Sequence, residues 1–497
     1  MNSPACPPLD TTRFQWRRTN TDPSIFQREV FGVEALADYR NRYLYGDGTL
    51  FLGVTLDFHC PVSLSGLARL AREAWMLLRF EVPTISAFQT TNRDTTLLNY
   101  TVPMTFGDAR RWAERTVRTA SNVDVEELRY QLGSSPLPDS NGDMTFLYVV
   151  GQHSQASGLL LHASHVLFDP QGLLILMRRY LRKLAPMIAG DLVPNLSLLE
   201  WGKEVPNLLP CVASILVPRE AAEGPAYSAS VQRVLSDFRA GMNHLYPLRA
   251  RRMERGPTYH VKQNFSKEES DHIKTTAKSY GCAVTELFHA TLCLVITEDN
   301  PPTDQTPPNT SFVFHGWQNC RPTRLVPPFS AMDGYPGMAT AMSMLIIPGV
   351  DMLRGKSTFF NKTPLLAMVD HVRREYKRQR ECPALLAMQG HLFDTVLPPA
   401  KRGAIKIVPP MLPLYIDDGI YETYIDRSYV DRKGRGVLSI ESIFSSQNRT
   451  DPGPIFHLGS WKGRIQLSVD FNGSAMPTQA VDQMVDNWTN FARLILS

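Results

Sequence analysis

In the stretch LLLHASHVLFDPQG, residues 159–172, an apolar strand runs into His162, Ser164, His165 and Asp169 before a second apolar run begins. Histidine ordinarily titrates near neutral pH, so two of them at the exit of a buried strand mark a place where protons could move. A neutral imidazole can take the proton of an alcohol as its oxygen attacks a carbonyl, then return it to the leaving group. Blander readings start from the same residues. Asp169 before Pro170 is an ordinary helix start, with the carboxylate as cap. His165 can be a packed core histidine, and H-x-x-x-D is common by chance. A metal site on His162 and His165 lacks a third ligand nearby in sequence. On an extended segment, His162 faces away from His165.

Bulk properties set the frame for these residues. The 497-residue chain is too long for one ordinary core, so two lobes are expected. With 43% hydrophobic and 20% charged residues, the composition is that of a globular protein. The net charge of +4 is spread along the chain, and its only dense run, RARRMER (249–255), reads as a solvated linker or helix face. No zinc-finger spacing or aromatic–basic pattern accompanies it, so nucleic acid is not an expected partner. The seven cysteines are scattered without C-x-x-C spacing, which argues against a zinc site or a disulfide framework. The amino terminus lacks a signal core and no apolar run is long enough to span a bilayer, so a cytoplasmic location without membrane contact is expected.

The elements that must hold the motif alternate. TLFLGVTLDF (49–58) reads as a strand, SLSGLARLAREAWMLLRF as a helix, VPTISAFQ as a strand and FGDARRWAERTVRTA as a helix. MTFLYVV and SGLLLHA pair across a polar joint after the loop SSPLPDSNGD, and PQGLLILMRRYLRKLAPMIA is the helix behind Asp169. Prolines weaken the pattern after Val205. The second half opens with the strand TYHVKQNF, a helix capped by Ser266 and Glu269 and ended at Gly281, and the buried helix VTELFHATLCLVI. The strands SFVFHGW, GVLSIESIFS and GRIQLSVDFN and a closing amphipathic helix follow. The expected division is a first lobe over 1–205, a crossover over 206–256 and a second lobe over 257–497, both lobes α/β.

An H-x-x-x-D motif at a strand exit, a third of the way along such a chain, resembles the CoA-dependent acyltransferase superfamily. Its members include chloramphenicol acetyltransferase, the BAHD acyltransferases and the condensation domains of nonribosomal peptide synthetases. His165 to Asp169 match the motif core; Ser164 stands where a first histidine is often found, and the glycine comes late, as Gly172. The stretches VSLSGLARLAREAWMLLRFEVPTISA, FSKEESDHIKTTAKSYGCAVTELFHATLCLVI, GWQNCRPTRLVPP and WKGRIQLSVDFNGSAMPTQAVDQMVDNWTNF are similar to further family segments. DFNGS (470–474) lies too close to the carboxyl terminus for the BAHD D-F-G-W-G motif and is treated as a strand end. The texture looks most like fungal secondary-metabolism O-acyltransferases, the trichothecene 15-O-acetyltransferases among them.

The resemblance implies two chloramphenicol acetyltransferase-like lobes, each a mixed sheet flanked by helices, with the active site in a channel between them. It implies His165 as general base, Asp169 as a structural partner of an arginine in the second lobe, and Gly172 as support for the loop. Arg321, just after an apolar strand where a guanidinium needs a carboxylate, is the expected partner. Arg324, or Asp169 as a cap alone, are the alternatives. The co-substrate would be acyl-CoA, with acetyl-CoA expected, the acceptor a small-molecule alcohol, and the chain a monomer with no permanent cofactor or metal. Ser445, Ser446 and Trp317 are candidate oxyanion donors. A condensation-type enzyme drawing on a carrier protein, and a repurposed fold guiding cyclisation of a polyketide or terpenoid, are the competing functions.

Overall fold

The strand that delivers the histidines, Gln155–Ala163, lies inside a six-stranded sheet of a computed structural model that describes residues 6–92, 95–133, 137, 142–252, 254–355, 361–407 and 411–497. It pairs antiparallel with Leu50–Phe58 on one side and Thr145–Gln152 on the other, which sets His162 opposite Phe51 and Phe146. The hairpin joint is His153-Ser154. Both residues have positive φ, 47° and 65°, as a two-residue turn between twisted strands requires. Most of the loop expected at 134–143 lies outside the described residues, as does Met253 of the basic run.

Helices cover this sheet. Leu64–Glu81 starts where the Ser63 hydroxyl accepts the Gly66 N–H at 3.1 Å, and it buries Leu67, Ala71, Trp75 and Leu78 at helical spacing. Each leucine so buried contributes about 1.5–3 kcal/mol. Pro170–Ile188 packs against it, with Asp169 at its cap and Leu173, Leu176, Met177, Tyr180 and Leu184 buried.

The second lobe has the strand pair Phe312–Asn319 and Thr340–Ile347, and a four-stranded sheet ordered Leu414–Ile420, Ile455–Trp461, Arg464–Asn472, Thr258–Asn264. The helix Val284–Asp299, buried nearly all round, packs between Lys362–Arg380 and Thr478–Arg493.

Four local expectations change. Pro83–Ser86 forms a 3-10 turn before the strand Phe88–Asn92, because proline supplies a turn φ but no ladder donor. The helix Phe106–Thr116 stops early, and Val117–Ser121 becomes the edge strand of the first sheet. The crossover contains a 20-residue helix, Gly224–Asn243, packed on Thr340–Ile347. Finally, the chain beyond 257 is not confined to one lobe. Gly436–Gln447 leaves the second lobe and pairs along Leu50–Phe58 in the first sheet, and Ser428–Val430 pairs outside it. One continuous core accordingly runs from Leu50 and Leu161 to Met342 and Leu392.

Candidate active site

His165 stands in a one-turn loop closed by the Leu167 N–H bonding to the Ser164 carbonyl at 3.2 Å. Its Nδ1 lies 2.8 Å from the Phe168 carbonyl oxygen. A carbonyl can only accept, so Nδ1 carries the hydrogen and Nε2 is left with its lone pair. Burial, and then the positive charge of Arg40, push the His165 pKa down to about 4 against the opposing pull of Asp169. The ring is neutral at pH 7.

Asp169 closes the loop from below. Arg321 grips it with two bonds, Nη1 to Oδ2 at 3.0 Å and Nη2 to Oδ1 at 2.7 Å. Oδ1 also accepts the Gly172 N–H at 2.8 Å, so the same carboxylate caps the helix. Oδ2 takes the Ala339 N–H at 2.8 Å and the Thr340 hydroxyl at 3.0 Å. Burial alone would raise this carboxyl; Arg321 and the backbone donors hold it below the ordinary aspartate value. Arg321 reaches the Tyr335 and Gly337 carbonyls and Asn319 as well. Gly172 has its own reason. A Cβ there would stand 2.0 Å from the Pro336 carbonyl oxygen, so only glycine lets this segment of the second half approach. Arg324 is engaged elsewhere, donating to Glu220 at 2.6 Å.

A narrow cavity of about 60 Å³ opens beside His165, between Pro170 and Gln171 of the first half and Trp317, Ile416 and Asp417 of the second. Arg40, on the helix Val33–Tyr43, lines it too. The Trp317 indole N–H is buried without an acceptor. Asp417 is exposed to this space but ringed by protein, and burial pushes its carboxyl up to about 6 against the Thr285 hydroxyl and the Gly419 N–H. Asp417 also borders a cleft of about 470 Å³ lined by Lys274, Thr285, Arg427 and Ser460, so the two spaces adjoin.

The remaining candidates lie apart. His162 is buried, stacks on Phe51 with ring centroids 4.2 Å apart, and has no hydrogen-bond partner at either nitrogen. Burial, with Arg129 and Arg118, pushes it down to about 3. Ser445 is buried but does not line the cavity. Ser446 is consumed by a second polar hub that sequence reasoning missed. Its hydroxyl donates to Asp470 Oδ1 at 2.7 Å and accepts from Arg129 Nε at 2.7 Å. Asp470 also receives Arg129 Nη2 at 3.2 Å, His260 at 2.8 Å, the Gln447 N–H at 2.6 Å and His457 at 3.0 Å. His457 reaches Asp418 with its other nitrogen at 3.1 Å. Burial would push this imidazole down, but the two aspartates hold it up at about 10. The available signal was the DFN at 470–472, an aspartate ending an apolar strand, as Asp169 does after another.

The description of the 15-O-acetyltransferase Tri3 family matches residues 6–346. The chain belongs to the Tri3 family. Trichothecene 15-O-acetyltransferase TRI3 of Fusarium sporotrichioides is 22% identical over 99% of this chain and 98% of its own. The trichothecene O-acetyltransferase TRI3 of Trichoderma arundinaceum is 26% identical over 41% of this chain and 43% of its own. The solved structure of the Fusarium enzyme superposes with a TM-score of 0.83 at 18% identity, covering 99% of this chain and 100% of that one. The first condensation domain of the calcium-dependent antibiotic synthetase gives 0.60 at 11% identity, over 94% and 96%. The chain thus has the two-lobed fold of these neighbours and is an acyltransferase of the Tri3 family.

Proposed function

We propose that the protein transfers an acetyl group from acetyl-CoA to a hydroxyl of a trichothecene-type secondary metabolite, with His165 Nε2 as general base. The observation that carries this reading is the bond from His165 Nδ1 to the Phe168 carbonyl, which leaves Nε2 unprotonated beside the cavity. As the alcohol oxygen attacks the thioester carbonyl, its proton passes to Nε2 and the carbonyl π pair moves onto oxygen. The tetrahedral intermediate then expels the thiolate, and the imidazolium returns the proton to sulfur. General-base help of this kind is worth typically 10²–10⁴-fold. The depressed pKa keeps the base free of protons, while the negative charge on the intermediate steadies the imidazolium that forms. Asp169, tied to Arg321, holds the loop and does not touch the proton.

Intact-mass analysis of products tests the reading. The protein is incubated with acetyl-CoA, or with an acetylated carrier protein, and a panel of hydroxylated natural products that includes a trichothecene with a free 15-hydroxyl. Ester formation from acetyl-CoA supports it. Transfer only from the carrier protein would replace it with a condensation-type activity, and a rearranged acceptor without added acetyl would point to cyclisation.

A further inference from the structure

The His165 cavity contains a cation whose role the general-base scheme leaves open. Among the described residues lining that cavity, Arg40 alone carries a fixed positive charge. It is buried, and one of its guanidinium nitrogens, Nη2, makes no hydrogen bond. A buried, unsatisfied donor on a charged group is costly, so a native site that keeps one invites a functional explanation. The group is also held still. Its Nε donates to Asp47 at 2.7 Å, and Asp47 is itself anchored by the Thr450 N–H at 3.0 Å and Arg449 at 3.4 Å. The guanidinium lies beside Gly48, where φ is +82° and an added Cβ would come within 3.1 Å of the Arg40 Cζ. A guanidinium pinned through Nε is thus fixed at the wall of the His165 cavity with one N–H group unspent.

We infer that Arg40 stabilises the negative charge that develops on the thioester carbonyl oxygen during acyl transfer. The inference rests on the acetyl-transfer reading. In the first step the C–O bond forms, the π pair becomes an oxyanion and the alcohol proton goes to His165 Nε2. Arg40 donates a hydrogen bond to that oxyanion and gives up no proton. In the second step the C–S bond breaks, the oxyanion pair reforms the carbonyl, and His165 protonates the thiolate. A preorganised donor aimed at developing charge acts on the transition state more than on the bound substrate. The serines considered as donors are unsuited, since Ser446 is bound to Asp470 and Ser445 does not line the cavity, and the unpartnered Trp317 indole at the cavity is a neutral donor, weaker toward an oxyanion than a guanidinium. The charged groups facing His165 are Arg40, Asp169 with Arg321 behind it, and Asp417 across the cavity.

Arg40→Gln and Arg40→Lys, assayed with acetyl-CoA and a trichothecene bearing a free 15-hydroxyl, test the role. Removing the charge is expected to lower kcat about 10²–10³-fold with both KM values within about threefold. It should also move the acid limb of the kcat/KM profile to higher pH, because the cation that depresses His165 is gone. Arg40→Lys keeps the charge, so it should leave that limb in place and recover much of kcat. Should Arg40→Gln fail to fold, Arg40→Lys decides by itself: a partial fall in kcat with both KM values held supports the role, and an unchanged kcat or a shift in KM overturns it. Equal losses in both folded variants with an unmoved acid limb would reduce Arg40 to a strut for Asp47. A wild-type protein that acetylates nothing would sink the acetyl-transfer reading and this role with it.

Discussion

Asp169 and Asp470 are both fully buried carboxylates at the contact between the two halves of the chain, and each is gripped by an arginine from the other half. Their remaining partners differ in kind. Asp169 is completed by two backbone N–H groups and a threonine hydroxyl, none of which titrates near neutral pH. Asp470 is completed by one backbone N–H, a serine and two histidines. Proton-dependent structure is thus kept to one hub and away from the other. The hub beneath His165 has a charge balance that does not change across the pH range of the reaction. Titratable partners are gathered at the second hub, behind Gln447.

The largest expected effect separates chemistry from architecture at the first hub. His165→Ala is expected to lower kcat by about 10²–10⁴-fold while the melting temperature stays nearly unchanged, since every bond to Asp169 survives. Full activity in the folded variant would remove His165 from the mechanism. Next come the hubs themselves. Asp169→Ala and Arg321→Ala should each cost about 3–5 kcal/mol in urea denaturation, because the other charge is left stranded. The double variant should cost less than the two losses added, and strict additivity would leave Asp169 as a cap worth about 1 kcal/mol.

The second hub is distinguished by pH. His457 is held up at about 10 when folded, so its contribution is fully present below about 6.5 and is lost as pH rises through 10. Stability should fall between those values, and His457→Gln should flatten that decline. A wild-type curve flat over the same window would show that the hub is not charged as described. The smallest effect belongs to His162. With both nitrogens unpartnered and its pKa pushed down to about 3, it must gain a proton on unfolding in acid. His162→Phe should change stability at pH 7 by less than about 1 kcal/mol, leave activity intact, and reduce the loss of stability as pH falls below 6.5. Equal loss of activity in His162→Phe and His165→Ala would contradict the separation of the two rings.

The first hub could be read because its parts are local or strongly marked. His165 and Asp169 share one strand–turn–helix, Pro170 marks the helix start, and Arg321 follows an apolar strand. The second hub assembles Arg129 and His260 with His457 and Asp470 of a distant hairpin, and no periodicity announces such a meeting. Arg40 and Arg129 lie on the short helices Val33–Tyr43 and Val125–Leu132, outside the segments that the sequence pattern marks. The strand Leu414–Ile420 escaped notice because a register shift between Asp417 and Gly419 breaks its alternation. The helix Gly224–Asn243 was hidden behind the prolines that precede it.

The strand Gly436–Gln447 has a consequence for how the protein comes into being. It is made several hundred residues after Leu50–Phe58, the strand beside which it has its seat. Until it arrives, a nine-residue apolar strand stands as an unmatched sheet edge, the kind of surface on which nascent chains recruit one another. At roughly 5–20 residues per second on the ribosome, that interval lasts about 20–80 s. The first lobe is born unfinished, and a fragment that ends before residue 436 is expected to aggregate when expressed alone, however complete its catalytic motif.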